Sequence, residues 1–257
     1  MSLFDMDGMT AVVTGSTKGI GKAIAQRMAE QGANVVVSSR KEDQCAAVAG
    51  EINRDWAKKG NKAIPIACHI GHKEQLRALT DKATAAFGKI DVLVCNAAVN
   101  PYYGPSKDIP DSAFDRIMES NIRSNFWLCH MVLPQMVERR SGSIVIISSI
   151  GGLRGSTTLG AYGISKAADM QLARNLAAEY GPYNIRANAI APGLVRTDFA
   201  RALWEDEDNL KRRNATTPLR RIGEPDEIAG AAVMLATKAG SFITGQTLVV
   251  DGGVTIA

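Results

Sequence analysis

The feature that most constrains the fold is the junction at residues 10–31. A short apolar run, Thr10–Thr14 (TAVVT), enters the turn Gly15-Ser-Thr-Lys-Gly19-Ile-Gly21 directly, and helical periodicity then runs from Ile20 to Gln31 before Gly32. A strand that passes through a tight glycine turn into a helix folds the helix back over its sheet, as in the first half of a βαβ unit. The alternation continues to the end of the chain. Strand-like runs at Asn34–Ser38, Ala63–Ala67, Asp91–Cys95, Ser143–Ser149, Ile185–Ala191 and Thr247–Asp251 alternate with helical stretches near 42–59, 72–87, 111–140, 164–180 and 225–236. Only residues 194–217 depart from it, as an amphipathic excursion without a clear strand. This pattern predicts an α/β chain: a single doubly wound domain over 1–257 with a parallel sheet of about seven strands, divisible near residue 150 into two halves.

In a Rossmann-fold sheet of this kind, ligands bind beyond the carboxyl ends of the strands. The glycine turn lies at one such end. Gly15, Gly19 and Gly21 let backbone approach a pyrophosphate, and the helix start at Ile20 supplies free N–H groups. The spacing is GxxxGxG, not GxGxxG, so a purely structural turn also accounts for it. The second strand ends in Ser38-Ser39-Arg40-Lys41, with no acid until Glu42. An acid at this place would bind ribose hydroxyls, whereas a cation suits a 2′-phosphate. Arg40, with Lys18 in the glycine turn, therefore favours NADP(H). Asn96 and Ala97 follow another strand end, so they too are candidates for the binding crevice.

Residues 161–170 (AYGISKAADM) place Tyr162 and Lys166 four apart, on one face of an Ala-rich helical segment. An ammonium beside a phenol favours the phenolate, and such a phenol can give a proton to a carbonyl oxygen or take one from an alcohol. Such pairs also occur on solvated helices, so the pair gains weight only from its context. Asn121 sits inside a long helical stretch, where a buried amide needs either a structural partner or an active-site role.

Together these motifs resemble the short-chain dehydrogenase/reductase family over essentially the whole chain. TGSTKGIG (Thr14–Gly21), CNAAV (Cys95–Val99), Asn121, Ser149, YGISK (Tyr162–Lys166) and APGLVRT (Ala191–Thr197) occur in the family's order and spacing. VNPYYG, CHIG (Cys68–Gly71) and PLRRIGEP (Pro218–Pro225) look most like its NADPH-dependent carbonyl and retinal reductases of peroxisomal type. The resemblance implies a tetrad. Tyr162 would exchange the proton, and Lys166 would bind the nicotinamide ribose and favour the Tyr162 phenolate. Ser149 would position the substrate oxygen, and Asn121 would hold a water linking Lys166 to solvent. It also implies that Ser16 and Ile20 join the glycines at the cofactor phosphates, with Ser39 beside Arg40. The backbone of Pro192, Gly193 and Val195 and the side chain of Thr197 would place the nicotinamide and its phosphates. Where the family usually has an Asp for the adenine amino group, this chain has His69; a neutral imidazole nitrogen could accept that bond, and Ile70 could supply backbone.

The implied activity is hydride transfer between NADP(H) and a carbonyl or alcohol substrate. Tyr102, Tyr103, Leu153, Leu159, Phe199 and Trp204 suggest an apolar substrate pocket. The alternative is a 3-oxoacyl-(acyl carrier protein) reductase, which would place cations by the site mouth; Arg140 occupies one such position, but Tyr183 occupies the other. A non-catalytic cofactor-binding regulator is disfavoured because all four tetrad residues are present. An epimerase or dehydratase on this fold would be expected to carry a longer C-terminal region. By resemblance the chain is expected to form a homotetramer, through the helices near 111–139 and 160–180 and through the C-terminal strand region.

Composition narrows the partners. The net charge of +4 is modest, and the basic runs Arg139-Arg140, Lys211–Arg213 and Arg220-Arg221 are scattered without interleaved aromatics, which disfavours nucleic acid. Four well-separated cysteines suit free thiols in a reducing compartment. Cys68 ends an apolar strand-like run and His72 begins a helical pattern, so their side chains need not converge; with no fourth ligand of suitable spacing, no metal site is expected. With no apolar run of spanning length, no signal-like start and no address at the GGVTIA end, a cytoplasmic protein is expected.

Overall fold

A computed structural model describes residues 2–257. Its elements follow in the order β1 (Thr10–Thr14), α1 (Gly19–Glu30), β2 (Asn34–Ser38), α2 (Glu42–Asp55), β3 (Ala63–Pro65), α3 (Lys73–Phe87) and β4 (Val92–Cys95). The second half contains α4 (Asp111–Met118), α5 (Ser124–Arg139), β5 (Gly142–Ile147), α6 (Gly160–Tyr180) and β6 (Ile185–Pro192). It closes with α7 (Arg201–Trp204), α8 (Glu207–Thr216), α9 (Pro225–Ala236) and β7 (Thr247–Val250). The strands form one parallel seven-stranded sheet in the order β3-β2-β1-β4-β5-β6-β7.

The strand sequences explain why the sheet is covered on both sides. TAVVT, VLVC and the SIVII of β5 are buried at alternating and intervening positions alike, as a parallel sheet between helices requires. Ala11 and Val13 of β1 join a core with Ile24 and Met28 of α1, Val48 and Ile52 of α2, and Ile228 and Val233 of α9. Val12 and Leu93 face the other way, onto Leu76 and Leu79 of α3, Leu128 and Met136 of α5, and Met170 of α6. Val12 is buried between two residues that belong to the opposite core because successive strand side chains alternate faces.

Several boundaries move for local reasons. β3 stops at Pro65 instead of reaching Ala67, although Ile66 N (3.0 Å) and Cys68 N (2.8 Å) still donate to the Val37 and Ser39 carbonyls. β5 ends at Ile147, so Ser148 and Ser149 lie beyond it, and α6 starts at Gly160 and includes Tyr162. The long helix expected over 111–140 is interrupted by a five-residue π-helical turn, Glu119–Arg123, which contains Asn121. Such turns widen the helix by one residue and often occur at functional sites. The excursion 194–217 resolves into a 3-10 turn at Asp198–Ala200 followed by α7 and α8. The sheet order reverses between β1 and β4, and there the crossover helices leave a cleft of about 910 Å³ beyond the strand carboxyl ends.

Candidate active site

The floor of the cleft is the turn after β1. Gly15 has a φ of 65°, and a Cβ on it would lie 2.9 Å from Asn96 Nδ2 and 3.0 Å from Ala97 Cα, so only glycine fits. Asn96 creates that crowding because its Nδ2 donates to the carbonyls of Thr14 (2.8 Å) and Gly15 (3.1 Å). Thr14 answers: its Oγ1 accepts from the backbone N–H of Asn96 (3.0 Å) and Ala97 (3.1 Å). This latch ties the end of β4 to the end of β1, so the Asn96 side chain shapes the cleft by fixing the glycine turn. The first bond of α1 runs from Lys22 N to the Lys18 carbonyl, which leaves the N–H groups of Gly19, Ile20 and Gly21 outside the helix's own ladder. Gly19 meets Thr197, whose Cγ2 would be 3.2 Å from a Cβ there.

Two candidates on this turn are repositioned. Ser16 does not face the cleft: it is fully buried, donating from Oγ to the Val13 carbonyl (2.7 Å) and accepting from Ser38 N (2.9 Å). Its neighbour Thr17 lines the cleft instead. Lys18 lines the cleft, but its ammonium lies 3.6 Å from the Asp198 carboxylate, whereas among the described residues Arg40 and Lys41 at the β2 end have no acidic partner. Arg40 and Ser39 line the far end with His69 and Ile70. His69 is held below its ordinary range by burial, then by neighbouring His72 and Arg40, which favours the neutral ring. Its Nδ1 already accepts from Gly71 N (3.1 Å), so the neutral ring carries its proton on Nε2. That corrects the expectation of an acceptor for the adenine amino group: the free ring nitrogen is a donor. The His69 and His72 rings are neighbours, with centroids 4.7 Å apart. Cys68 turns into the core, and among the described residues no three metal-ligating side chains cluster.

At the middle of the cleft Ser149, Tyr162 and Lys166 come together. Ser149 Oγ accepts from Gly151 N (3.0 Å) and so caps the 3-10 turn Ile150–Gly152. A Cβ on Gly151 would meet both Ser149 Oγ (3.4 Å) and the Tyr162 ring (3.8 Å), which brings the two side chains to one place in the cleft. Gly152 makes this possible: a Cβ there would lie 2.6 Å from Ala167 N, inside α6. Ser148 pins the same region by donating to the Lys166 carbonyl (2.7 Å). Lys166 Nζ lies 5.8 Å from the centre of the Tyr162 ring, donates to the Ile147 carbonyl (2.9 Å) and pairs with Asp169 Oδ2 (2.9 Å). Burial opposes its charge, but Asp169 and, more weakly, Tyr162 outweigh this, and the ammonium is held above the ordinary lysine range.

Asn121 is not exposed to the cleft. It is fully buried, its Oδ1 accepting from Val99 N (2.9 Å) and its Nδ2 donating to the Val99 carbonyl (3.0 Å) and to Ser165 Oγ (3.0 Å). Both Nδ2 donors and one lone pair of Oδ1 are thus engaged within the protein. Of its polar groups, the backbone carbonyl points along the helix to Asn125 Nδ2 (2.7 Å). Pro192, Gly193, Val195 and Thr197 line the wall at the end of β6. Beyond them the substrate side is lined by Tyr103, Leu159, Phe199 and Leu203, with Phe199 6.2 Å from the Tyr162 ring. Three expected pocket residues are elsewhere. Tyr102 bonds the Pro105 carbonyl (2.9 Å), Leu153 is exposed outside the cleft lining, and Trp204 donates to the Thr197 carbonyl (3.0 Å) beneath Arg196. Arg140 is also remote from the mouth, at the end of α5 just before β5, and bonds the Pro182 carbonyl (2.8 Å).

This order of elements, with a glycine cradle at one end and a Tyr–Lys pair at the other, has close counterparts. A family model described as enoyl-(acyl carrier protein) reductase matches residues 15–255. Dehydrogenase/reductase SDR family member 4 of Bos taurus is 41% identical over 248 residues, 96% of this chain and 88% of that protein. The chain belongs to the short-chain dehydrogenase/reductase family. Solved structures agree. A gluconate 5-dehydrogenase of Burkholderia cenocepacia, in complex with NADP and tartrate, superposes with a TM-score of 0.93 at 34% identity, covering 99% of this chain and 98% of that one. A 7α-hydroxysteroid dehydrogenase complexed with NADH and 7-oxo glycochenodeoxycholic acid gives 0.91 at 37% identity, covering 98% and 96%. As a short-chain dehydrogenase/reductase, the protein is an NAD(P)-dependent oxidoreductase of carbonyl and alcohol groups. Among the described residues, no helix is long and apolar enough to cross a membrane.

Proposed function

We propose that this short-chain dehydrogenase/reductase is an NADPH-dependent reductase of ketones or aldehydes, reversible towards the alcohol. The observation that carries the reading is the convergence of Ser149 Oγ and the Tyr162 ring about Gly151, with the Lys166 ammonium behind them. NADPH, held along the glycine turn with its 2′-phosphate at Arg40, would supply the hydride. The protein's own residues handle the oxygen. Ser149 accepts from Gly151, which orients its hydroxyl and leaves that proton free to donate to a carbonyl oxygen. Tyr162 gives the proton that completes the alcohol. Lys166 uses two of its three N–H donors on Ile147 and Asp169, and the third serves the cofactor ribose. The fixed charge favours the phenolate left after proton transfer, so it acts where charge develops.

The apolar lining by Tyr103, Leu159 and Phe199 supports a substrate with an apolar body beside its carbonyl. The remote position of Arg140 counts against a carrier-borne substrate that docks by that cation. The test is a panel of ketones and aldehydes offered to purified protein with NADPH and with NADH, followed by cofactor absorbance. Faster consumption of NADPH with apolar carbonyls is expected. Consumption of neither cofactor, together with no alcohol oxidation in reverse, would overturn the reading.

A further inference from the structure

Asn125 and Asp169 belong to no dehydrogenase motif in this chain, yet they connect two of the tetrad residues. Asp169 lies on α6 three residues after Lys166 and is fully buried. Its Oδ2 is 2.9 Å from Lys166 Nζ, and its Oδ1 accepts from Asn125 Nδ2 at 3.0 Å. Asn125 Nδ2 also donates to the backbone carbonyl of Asn121 at 2.7 Å, in the π-helical turn. The two helical segments thus carry parallel polar rungs, Asn121–Ser165 and Asn125–Asp169, one helical turn apart. The surroundings are apolar: Met170, Ala173, Leu128 and Cys129 are buried in the same core. A carboxylate there carries a desolvation cost that a hydrophobic residue of similar size would avoid.

We propose that Asp169 is a positioning residue for the Lys166 ammonium, which it fixes between the Ile147 carbonyl and the cleft and ties, through Asn125, to the backbone of Asn121. The inference rests on the proposed role of Lys166. Two of the three ammonium protons are directed by Ile147 and Asp169, which leaves the third aimed away from both. Asp169 also keeps that group charged. The groups facing Lys166 are Tyr162 and Asp169 on α6 and Cys95 on β4, which contacts Cys129 of α5 (Sγ–Sγ 4.0 Å). The Cys129 contact and burial hold the Cys95 thiol well above its ordinary range, so it adds no charge near neutral pH. Burial pushes the Asp169 carboxyl up as well, against the pull of Lys166, so each charge of the pair depends on the other.

Asp169→Asn keeps the shape but can accept from Lys166 or from Asn125, not from both. The first readout needs no cofactor: the Cε resonance of Lys166, assigned by its loss in Lys166→Arg, is titrated in cofactor-free protein. Its midpoint should fall by at least about one pH unit in Asp169→Asn. The second is turnover, whose loss in the variant should grow as pH rises through the lowered Lys166 midpoint, where the variant but not the wild type loses the ammonium. An unchanged Lys166 midpoint with a pH-independent loss would leave Asp169 a purely structural residue and overturn the proposal. Should Asp169→Asn not fold, the wild-type titration decides. Lys166 charged above the ordinary lysine range supports the proposal, and a midpoint below it overturns it. Near-normal turnover in Tyr162→Phe would instead break the underlying Tyr–Lys reading, which the cofactor-free titration does not depend on.

Discussion

Replacing Arg40 should change cofactor choice more than any other single substitution in the cleft. Arg40 is exposed just past β2, beside Ser39 and near His69. Lys18, the other cation expected near the 2′-phosphate, lies 3.6 Å from Asp198, a carboxylate that Arg201 also engages at 2.8 Å, so its charge is partly offset. Discrimination between NADPH and NADH therefore falls mainly on one charge-assisted interaction, which contributes about 1.5–3 kcal/mol. Solvent exposure places Arg40 near the lower value, and about 1.4 kcal/mol corresponds to roughly tenfold in kcat/KM. Arg40→Ser should lower kcat/KM with NADPH by about this factor and leave the NADH value little changed. Ser39→Asp combined with Arg40→Ser adds repulsion of the phosphate and should move the enzyme towards NADH. Lys18→Ala and Lys41→Ala should shift the ratio less. The wild-type preference should also shrink as salt is raised. The assay is kcat/KM for both cofactors across these variants at two ionic strengths. A wild type that prefers NADH, or an Arg40→Ser variant that loses equally with both, would refute the reasoning while leaving hydride transfer intact.

Gly152→Ala places a methyl group 2.6 Å from Ala167 N, so the turn bearing Ser149 must move off α6. We expect a stability loss of about 1–3 kcal/mol in urea unfolding and a larger fall in turnover than in NADPH affinity; unchanged turnover and stability would contradict this packing account. A homotetramer is expected, supported by exposed Phe126 on α5, Ile164 on α6 and Phe242 just before β7. Light scattering that gives a monomer at working concentrations would refute it.

The sheet was legible because TAVVT, NVVVS and SIVII are short runs rich in β-branched residues, and glycine or helical periodicity follows each one. The cleft's ends were legible for the same reason: Gly15, Arg40 and Tyr162 each sit at a recognisable place in that alternation. What failed was direction within a turn. Ser16 and Thr17 are adjacent and chemically alike, and only the three-dimensional turn shows that Ser16 bridges β1 and β2 while Thr17 faces the cleft. Lys18 and Asp198 are remote in sequence, as are Asn121 and Val99, so those pairings carry no local signal. Asp169 was missed although a signal existed. It shares the helical face of Met170, Ala173 and Ala177, which are all buried, so an acid on that stripe needs a partner. The substrate wall was the least legible part. Short helical pieces at 198–216 have weak periodicity, and Trp204, unlike Phe199, is held away from the cleft by the Thr197 carbonyl and Arg196.

In the proposed reaction the Tyr162 hydroxyl exchanges the proton that accompanies hydride transfer. Tyr162→Phe removes that hydroxyl and keeps the ring that packs beside Gly151 and Phe199. Turnover of the best carbonyl substrate and NADPH affinity, by titration of cofactor fluorescence, should be measured on wild type and variant side by side. A fall in kcat of at least about 10²-fold with NADPH affinity little changed is expected. Near-normal turnover in Tyr162→Phe would contradict that role for the hydroxyl.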